Sequence, residues 1–383
     1  MMYARLLPTP TRSVFLFGPR GTGKTTWIRN RFPTAATYDL LDTREALRLS
    51  KTPDALYREL VALPSGSWAV IDEVQKVPEL LNEVHRLIES RHLRFVLSGS
   101  SARKLRRRGV NLLAGRAITT TMFPLVSAEL DFGLDIGRAL SLGTLPMVLT
   151  GDGPHDYLHT YAETYLVQEV QAEALTRNLG GFARFLEIAA RQNAQATNAT
   201  AIARDAGIDR RTVQSHFAIL TDTLIGCWLP PWKLKPATRQ VQQSKFYFFD
   251  GGVARALSGR LPYPPTQEEL GPLAETFILN EIRAFLSYSG RHYRPHYWRS
   301  YDGAEVDVLC ETATGFVAIE IKASSRWDKR FNRGFRRIRE HLDPRATTCF
   351  GVYLGHRAAL WGDVQVLPAL DFLKRLWNGD VLH

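Results

Sequence analysis

Cysteine is scarce in this sequence, and long apolar runs are missing. Cys227, Cys310 and Cys349 are the only cysteines among 383 residues, and their wide spacing is unlike the paired spacing of a metal site. We therefore expect buried, reduced thiols in a cytoplasmic protein. No stretch of about 18 apolar residues is free of charge, so we expect neither a membrane span nor a membrane partner. The short apolar run near the N-terminus leads into a glycine-rich loop, which argues against a cleaved export signal.

Acidic residues are also in deficit. The sequence has 38 aspartates and glutamates against 49 lysines and arginines, which gives a net charge of +11 and a pI of about 9.7. A basic chain of this size often binds nucleic acid, because neutralising phosphates releases counterions. Attraction to anionic membrane surfaces and plain solubility are alternative explanations of the same charge. Composition therefore favours a nucleic-acid partner without identifying it.

The order of strand-like and helix-like segments predicts three parts in an α/β protein. Residues 13–123 alternate short β-rich runs with helical patterns, which is typical of a parallel sheet wrapped by helices. Residues 125–222 are helical in pattern, and strands return after a proline-rich stretch at 261–266. We therefore predict three domains, at 1–124, 125–260 and 261–383.

The segment Gly18–Thr25 (GPRGTGKT) fits the G-x-x-x-x-G-K-[ST] pattern of a phosphate-binding loop, between a predicted strand and a predicted helix. Backbone N–H groups of the loop and the positive end of the helix are expected to hold the phosphates of ATP. Lys24 is expected to reach the β- and γ-phosphates and Thr25 to bind Mg²⁺. The first domain is thus predicted to be a P-loop NTPase core. The predicted nucleotide-binding residues are Gly18, Pro19, Arg20, Gly21, Thr22, Gly23, Lys24, Thr25, Thr26 and, from a later strand, Ser98.

Two adjacent acids, Asp72 and Glu73, end the buried run WAVI. Asp72 can hold Mg²⁺ through water, and Glu73 can orient or deprotonate the attacking water. The presence of both carboxylates predicts hydrolysis of ATP and not only its binding. Ser98 and Ser100 follow the next strand, where they can sense the γ-phosphate. Capping of the next helix is the alternative role of this serine-rich segment.

Together, GPRGTGKTT, WAVIDEVQKVPELLNEVH, LSGSSARKL, LLAGRA and FPLVSAEL resemble the AAA+-type ATPases of bacteria and archaea. More narrowly, the chain is similar to a subgroup whose C-terminal half carries a domain of unknown function that resembles restriction endonucleases. The resemblance implies homo-oligomeric rings in which one subunit's arginine touches the γ-phosphate bound by its neighbour. Arg116 is the first candidate for this catalytic arginine and Arg103 the second; a surface contact is the alternative for either. In such a ring, the basic run at 103–108 is expected to face the central channel or the neighbouring subunit, and a solvated helix face is the alternative.

A helix-turn-helix pattern occupies residues 199–222. Ala199–Ala206 is a predicted helix, a tight turn at Gly207 and Asp209 follows, and a second helix covers 210–222. The strand after it predicts a wing, so the middle domain is expected to be a helical lid with a winged-helix-like part. Its alternative role is to pack subunits together. The residue types on the exposed face of the second helix suit the phosphates and base edges of DNA; they are Arg210, Arg211, Thr212, Gln214 and Ser215.

The C-terminal part carries a pattern typical of metal-dependent nucleases, PD-(D/E)xK. Asp307 lies on one predicted strand, and the next strand provides Glu320-Ile-Lys322. Glu320 and Lys322 share one face of their strand, and two carboxylates can bind Mg²⁺. Glu275 on the preceding helix is expected to complete the site, with Glu281 as the reserve. This part therefore resembles the α/β core of restriction endonucleases and archaeal junction resolvases.

Two other features of the C-terminal part are compatible with more than one role. A basic helix at 327–342 can follow a phosphate backbone. Aromatic residues such as Tyr293, Tyr297, Trp298 and Trp327 can stack on unpaired bases, or they belong to the core. The whole domain can also be a degenerate one that binds DNA or subunits and uses its carboxylates in salt bridges.

Three functions are compatible with these patterns. The first is an ATP-hydrolysing, DNA-binding, oligomeric ATPase that remodels or translocates on DNA, with branched junctions as the favoured substrate. The second is an ATP-gated, metal-dependent nuclease. The third is an ATP-switched scaffold that binds a protein partner. The sequence favours the first, with ATP and Mg²⁺ as cofactors.

Overall fold

The computed structural model describes residues 3–101, 113, 115–165, 178–233 and 243–383, and elements are numbered along these residues. The chain divides into two compact units. The N-terminal unit comprises Leu7–Pro124 and Asp222–Ile225, and the C-terminal unit comprises the residues up to Leu6, Leu125–Thr221 and Gly226–His383. Since residues on both sides of position 260 belong to one unit, the division into domains at 1–124, 125–260 and 261–383 stays a prediction.

A parallel sheet forms the centre of the N-terminal unit. The strands lie in the order β2-β3-β4-β1-β5, and every neighbouring pair is parallel. Strands β1 and β3 are short apolar runs because they are buried on both faces. This arrangement confirms the α/β class and the parallel sheet expected for a P-loop NTPase. Its described strands are β1 (Val14–Phe17), β2 (Ala36–Asp39), β3 (Trp68–Asp72), β4 (Arg94–Gly99) and β5 (Ile118–Thr121).

Four described helices accompany this sheet: α1 (Lys24–Arg31), α2 (Thr43–Lys51), α3 (Asp54–Leu60) and α4 (Leu80–Arg91). Helix α4 buries Leu80, Val84 and Leu87, which recur at the spacing of one helix face. These side chains join Phe15 of β1 and Leu97 of β4 in one core. Because all neighbouring strands are parallel, their carboxyl ends lie at one edge of the sheet.

The first half of the C-terminal unit is helical, and a β-hairpin follows. Helix α9 ends at Gly207, whose left-handed backbone (φ 63°) starts the turn. The Asp209 carboxylate then accepts a hydrogen bond from Thr212 N at 2.9 Å, which starts α10 as expected. The winged-helix assignment stays a prediction. The described elements are α5 (Ile136–Leu142), α6 (Pro146–Thr150), α7 (Pro154–Thr160), α8 (Leu179–Arg191), α9 (Ala199–Ala206), α10 (Arg210–Asp222) and the antiparallel pair β6 (Gly226–Leu229) and β7 (Lys245–Phe248).

A mixed sheet, in the order β12-β13-β11-β10-β9-β8, organises the second half of the C-terminal unit. The long helix α12 buries Ile278 and Ile282 in the same core as Ile319 and Ile321 of β10. The order of helix, three strands, helix and strand is the expected one. The elements are α11 (Gly251–Leu257), α12 (Gln267–Tyr288), β8 (Pro295–Arg299), β9 (Glu305–Thr312), β10 (Gly315–Lys322), α13 (Arg333–Ile338), β11 (Thr347–Tyr353), β12 (Ala359–Trp361), β13 (Val364–Pro368) and α14 (Ala369–Asn378).

The basic helix expected at 327–342 is shorter than its sequence pattern indicates. A 3₁₀ turn at Lys329–Asn332 precedes α13, which has only six residues. The indole of Trp327 donates to Asn332 Oδ1 at 2.9 Å, and this buried contact holds the turn in place of a further helical turn. Among the described helices of the whole chain, none is both long enough and apolar enough to cross a membrane.

Candidate functional site

The phosphate-binding loop connects the carboxyl end of β1 to the first residue of α1. Gly21 and Gly23 have φ angles of 81° and 91°, which glycine adopts without strain. A Cβ atom at Gly18 would lie 2.6 Å from the carbonyl oxygen of Met122, so this position also requires glycine. The predicted loop residues therefore form one tight turn that ends at a helix N-terminus.

Lys24 lies inside this loop. Its side chain donates to the carbonyl oxygens of Gly18 at 2.7 Å and Pro19 at 3.1 Å, and only 7% of the residue is exposed. Helix α1 has no side-chain cap and no acidic residue in its first turn, which leaves its positive end suited to an anion. A buried ammonium, glycine turns and an uncapped helix end together fit the phosphates of a nucleotide.

The order of the strands brings Thr25, Ser98 and Asp72 together. Strand β4 lies between β1 and β3, so Ser98 at its end stands between the loop and Asp72. Thr25 Oγ1 donates to Asp72 Oδ2 at 2.9 Å, and the Ser98 hydroxyl donates to Asp72 Oδ1. Asp72 is 5% exposed and Ser98 is fully buried. A buried carboxylate beside two hydroxyl groups is an oxygen donor set that suits Mg²⁺.

Glu73 is held by a residue that the sequence analysis missed. Its backbone is left-handed (φ 59°), which is uncommon outside glycine. The amide of Gln75 donates to Glu73 Oε2 and lies 3.4 Å from Ser100 Oγ. Gln75 is 5% exposed, and a Cβ atom at Gly99 would collide with it. The sequence shows only that a glutamine follows the acid by two residues, and its burial and its contact with Glu73 are visible only in the structure.

Arg116 lies at the other edge of the same sheet. It precedes β5, whose first residue Ile118 pairs with Val14, the first residue of β1. The phosphate loop leaves from the opposite end of β1, roughly 10 Å away at 3.3 Å per residue. The guanidinium forms an ion pair with Glu89 at the end of α4 and lowers the pKa of that carboxyl. Arg116 therefore does not reach the phosphates of its own loop, and Arg103 with the run at 103–108 lies outside the described residues.

The residues expected to contact DNA lie at the start of α10. Val213, Phe217 and Leu220 face the core, which leaves the opposite side of the helix to solvent. The exposed or half-exposed residues there are Arg210, Arg211, Thr212, Gln214 and Ser215. Their placement matches the expected exposed face, while contact with DNA stays a prediction.

The acids and the lysine predicted for the nuclease-like site meet in the C-terminal unit. Asp307 on β9 and Glu320 on β10 are both buried. Lys322 Nζ lies 2.6 Å from Glu320 Oε1 and 3.7 Å from Asp307 Oδ2. Glu275 reaches the same cluster from α12, since Lys245 contacts both Glu275 and Asp307. The residues predicted from the sequence spacing therefore lie close together in the structure.

Lys245, Tyr247 and Glu305 complete this cluster and were not predicted. Lys245 Nζ lies 3.1 Å from Glu275 and 2.5 Å from Glu305, and Tyr247 donates to Glu275 at 2.8 Å. Lys245 comes from the hairpin strand β7, far from the D…ExK segment in sequence. The available signal was a lone charge at the start of KFYFF, an otherwise buried strand. Among the described residues, no group of three or more His, Cys, Asp or Glu side chains is arranged to hold a metal ion.

Burial and the neighbouring charges together set the pKa values in the cluster. Burial, reinforced by Asp307, raises the pKa of Glu275 to about 7 and raises the pKa of Glu320 well above its usual range. Burial alone would lower the pKa of Lys245, but the carboxylates of Glu275 and Asp307 outweigh it and raise that pKa. Lys245 is therefore charged, and its single ammonium group interacts with several carboxylates.

The reserve candidate Glu281 has a different environment. It accepts hydrogen bonds from Ser127 N at 2.6 Å, from Ser127 Oγ at 3.1 Å and from Trp377 Nε1 at 2.7 Å. These contacts tie α12 to α14 and do not involve the cluster. Tyr297, Trp298 and Trp327 are 2%, 5% and 9% exposed, so they belong to the core and are not available for stacking.

Comparisons with known proteins bear on the domain that carries the first of these sites. The family model of an AAA domain matches residues 10–130, and two domain families of unknown function, DUF8612 and DUF4143, match residues 135–263 and 270–372. The first match supports a P-loop ATPase domain, a class that binds and hydrolyses nucleotides and typically uses Mg²⁺. The other two matches assign no activity. No curated protein matches the chain.

Three solved structures show weak likeness. A signal-transduction ATPase with numerous domains and a tetratricopeptide repeat sensor, from Pyrococcus horikoshii, is 13% identical over 74% of this chain, which spans only 46% of that protein. A protein of Vibrio cholerae is 11% identical over 96% of each chain. Can2 from Sulfobacillus thermosulfidooxidans, in complex with cyclic tetra-adenylate, is 11% identical over 97% of this chain and 100% of its own. All three TM-scores are 0.23.

Proposed function

We propose that this chain is an ATP-hydrolysing, DNA-binding ATPase that forms homo-oligomeric rings and remodels or translocates on DNA, with branched junctions as the favoured substrate. The observation that carries the proposal is the assembly of Lys24, Thr25, Asp72 and Ser98 at one edge of the parallel sheet. The AAA domain match over the same residues supports it.

Each side chain of the nucleotide site has a role that its position supports. Lys24 would exchange its contacts with two loop carbonyls for oxygens of the β- and γ-phosphates. Thr25 and Asp72 would hold Mg²⁺, which when bound neutralises charge on the phosphates. Glu73, held by Gln75, would orient or deprotonate the attacking water. Burial of this set limits access of bulk water to the phosphates.

The position of Arg116, the proposed catalytic arginine, supports the proposed ring. Arg116 is partly exposed at the edge of the sheet that lies opposite the phosphate loop. An arginine there can stabilise charge on a transferring phosphoryl group only in a neighbouring subunit. When two subunits meet, Arg116 would leave its partner Glu89 and contact a phosphate bound by the neighbouring subunit.

Binding of DNA rests on charge and on α10. The net charge of +11 favours contact with phosphates. The N-terminal turn of α10 exposes Arg210 and Arg211, and the preceding turn is held by Asp209. In the short basic segment of the C-terminal unit, Arg333 and Arg337 pair with Asp302, whereas Lys329 and Arg336 form no ion pair within the described residues. The α10 surface carries the proposal, because Arg210 and Arg211 are adjacent and exposed at the start of the helix.

The test measures ATPase turnover with no DNA, a single strand, a duplex and a four-way junction, beside the Lys24→Ala variant. The proposal expects stimulation by DNA, strongest with the junction, with strands intact. The double variant Arg210→Ala/Arg211→Ala should weaken DNA binding and lower the slope of log affinity against log salt by about 2. Arg204→Ala, which removes an exposed arginine from the preceding helix, is the matched control. If no DNA binds or stimulates, a switch that binds a protein partner becomes the better account.

A metal-dependent nuclease gated by ATP is the second candidate. The observation in its favour is the meeting of Glu275, Asp307, Glu320 and Lys322 in one cluster. In that case Asp307 and Glu320 would bind Mg²⁺ and Lys322 would stabilise developing charge. Metal-dependent cleavage of labelled DNA that disappears in Asp307→Ala would select this function, and intact strands on every substrate would exclude it.

A further inference from the structure

We infer that His216 is an acid-sensitive switch in the packing of α10 against α8, and that uptake of a proton by its imidazole loosens this packing. His216 lies on the inner face of α10 and is 2% exposed. Within the described residues, neither ring nitrogen, Nδ1 or Nε2, has a hydrogen-bond partner. The inference about packing is independent of DNA, whereas its consequence for DNA affinity rests on the proposed function.

The surroundings of the imidazole are aromatic. Its ring is perpendicular to that of Phe182 on α8 (88°), with the centroids 4.8 Å apart, and the centroid of the Phe185 ring lies 5.1 Å away. Both phenylalanines are buried. A neutral imidazole fits such a place poorly, because its two nitrogens lose water and gain no hydrogen bond. An apolar side chain of similar volume would pack there at lower cost, so what the histidine adds is its titration.

Protonation makes this mismatch larger. The imidazolium carries a charge and two N–H donors, and a charge without a partner is more costly to bury than a neutral polar group. The faces of the phenylalanine rings attract a cation but accept hydrogen bonds only weakly. Burial accordingly lowers the pKa of His216. The packed state therefore binds the proton less tightly than the open state, and a fall in pH through about 6.5, the usual histidine value, favours opening.

No acid in the described part of the chain compensates the charge of a protonated His216. Asp209 is the one charged group there that shifts its pKa, and this attraction is outweighed by burial. The Asp209 carboxylate is itself engaged at the start of α10, where it accepts from Thr212 N and Thr212 Oγ1. The other titratable and charged groups on the surrounding elements are Arg184, Glu187 and Arg191 on α8, Arg204 and Asp205 on α9, Arg210, Arg211 and Asp222 on α10, Cys227 on β6, and Lys245 and Tyr247 on β7.

The switch acts on the helix that carries the proposed DNA contacts. Arg210 and Arg211 lie exposed in the first turn of α10, and His216 lies less than two turns further along the same helix. Arginines on a fixed helix lose less conformational freedom on binding phosphates than arginines on a mobile one. Acidification is therefore expected to weaken DNA binding through this helix.

The experiment compares amide hydrogen exchange of wild-type protein and His216→Leu near pH 7.5 and near pH 5.5, after correction for the intrinsic effect of pH. Leucine has about the volume of histidine and does not titrate. In wild type, we expect the protection of α8 and α10 to fall by up to about tenfold for each pH unit below 6.5, whereas His216→Leu keeps it. His356→Leu, which removes an exposed histidine, should behave as wild type does. Asp250 and Glu281, whose pKa values burial also raises into this range, are present in all three proteins and cancel.

Protection that stays unchanged in wild type near pH 5.5, or that falls equally in wild type and His216→Leu, would overturn the inference. If His216→Leu does not fold, NMR of wild-type protein with ¹³C-labelled histidine decides. The His216 ring should stay neutral below pH 6.5 until α8 and α10 lose protection. A ring that becomes charged near pH 6.5 while protection is retained would contradict the switch.

A DNA-binding measurement separates this inference from the proposed function. At fixed salt, the affinity for duplex DNA should fall more steeply between pH 7.5 and pH 5.5 for wild type than for His216→Leu, and parallel pH profiles would exclude an effect of the switch on DNA. If no protein binds DNA at either pH, the proposed function fails, and hydrogen exchange still decides whether His216 controls the packing of α10.

Discussion

Thr25 and Asp72 lie 47 positions apart in sequence, and a hydrogen bond of 2.9 Å joins the hydroxyl of one to the carboxylate of the other. The bond exists because β1 and β3 are separated by a single strand, with both carboxyl ends at one edge of the sheet. Ser98 at the end of that intervening strand donates to the second oxygen of the same carboxylate. The Mg²⁺ ligands of the proposed site are thus prearranged before nucleotide binds.

The Thr25 hydroxyl can be tested without changing the shape of the loop. Thr25→Val replaces it with a methyl group, and we expect kcat/KM for ATP to fall about 10- to 100-fold, since one metal ligand is lost. The Mg²⁺ concentration for half-maximal activity should rise as well. Thr25→Ser keeps the hydroxyl and should stay within a few-fold of wild type, roughly the effect of one methyl group. Equal activity of Thr25→Val and Thr25→Ser would remove Thr25 from the metal site.

The pair Glu73 and Gln75 predicts a graded loss of turnover. Glu73→Gln should lower kcat by about 10²- to 10⁴-fold while the protein still binds ATP, because the general base is lost. Gln75→Ala leaves the carboxylate but removes the amide that holds it. We therefore expect a smaller fall in kcat, about tenfold, with KM unchanged. Steady-state ATPase assays and binding of a fluorescent ATP analogue check both. If Gln75→Ala raises KM and leaves kcat intact, Gln75 shapes the pocket and does not position Glu73.

The position of Arg116 predicts complementation between two defective subunits. Arg116→Ala and Glu73→Gln should each be nearly inactive, but a mixture should recover activity. In mixed rings the Glu73→Gln subunit supplies its arginine to an intact nucleotide site of the Arg116→Ala subunit. Glu89→Gln, which breaks the ion pair and keeps the arginine, is the control and should remain active. Activity retained by Arg116→Ala alone, or no recovery on mixing, would contradict a role across subunits.

The residues that sequence predicted best are those whose chemistry depends on local spacing. Lys24 and Thr25 are adjacent, and Glu320 and Lys322 share one strand face, so a short motif contains their geometry. The phosphate loop, the strands around it and the start of α10 follow from similar local signals. Each of these features is determined by residues that are close together in the sequence.

Residues that act through tertiary contacts were missed. Lys245 joins Glu275 and Glu305 only because a hairpin packs beside another sheet, and no spacing in the sequence encodes that approach. Gln75 required knowledge of the left-handed backbone at Glu73. The basic helix was overestimated because helical charge spacing is visible in sequence, whereas the buried contact of Trp327 with Asn332 is not.

The burial of Glu281 predicts a dependence of stability on pH. Burial raises its pKa from 4.5 to about 7, against three hydrogen bonds that favour the ionised form. The folded state binds the proton of Glu281 more tightly than the unfolded state does, so protonation of this carboxyl favours folding. This contribution to the free energy of unfolding is fully present below pH 4.5 and is lost as the pH rises to 7. The loss amounts to at most about 3 kcal/mol in the free energy of unfolding.

Glu281→Gln removes this titration and isolates the effect. We expect the stability advantage of wild type over the variant to be largest near pH 5 and to shrink by about 1–3 kcal/mol towards pH 8. Asp250, whose pKa burial raises to about 6, titrates in both proteins and cancels in the difference. Urea unfolding followed by tryptophan fluorescence across this range provides the measurement. A difference that stays constant or grows with pH would mean that Ser127 and Trp377 keep Glu281 ionised in the folded protein, so that its hydrogen bonds outweigh its burial.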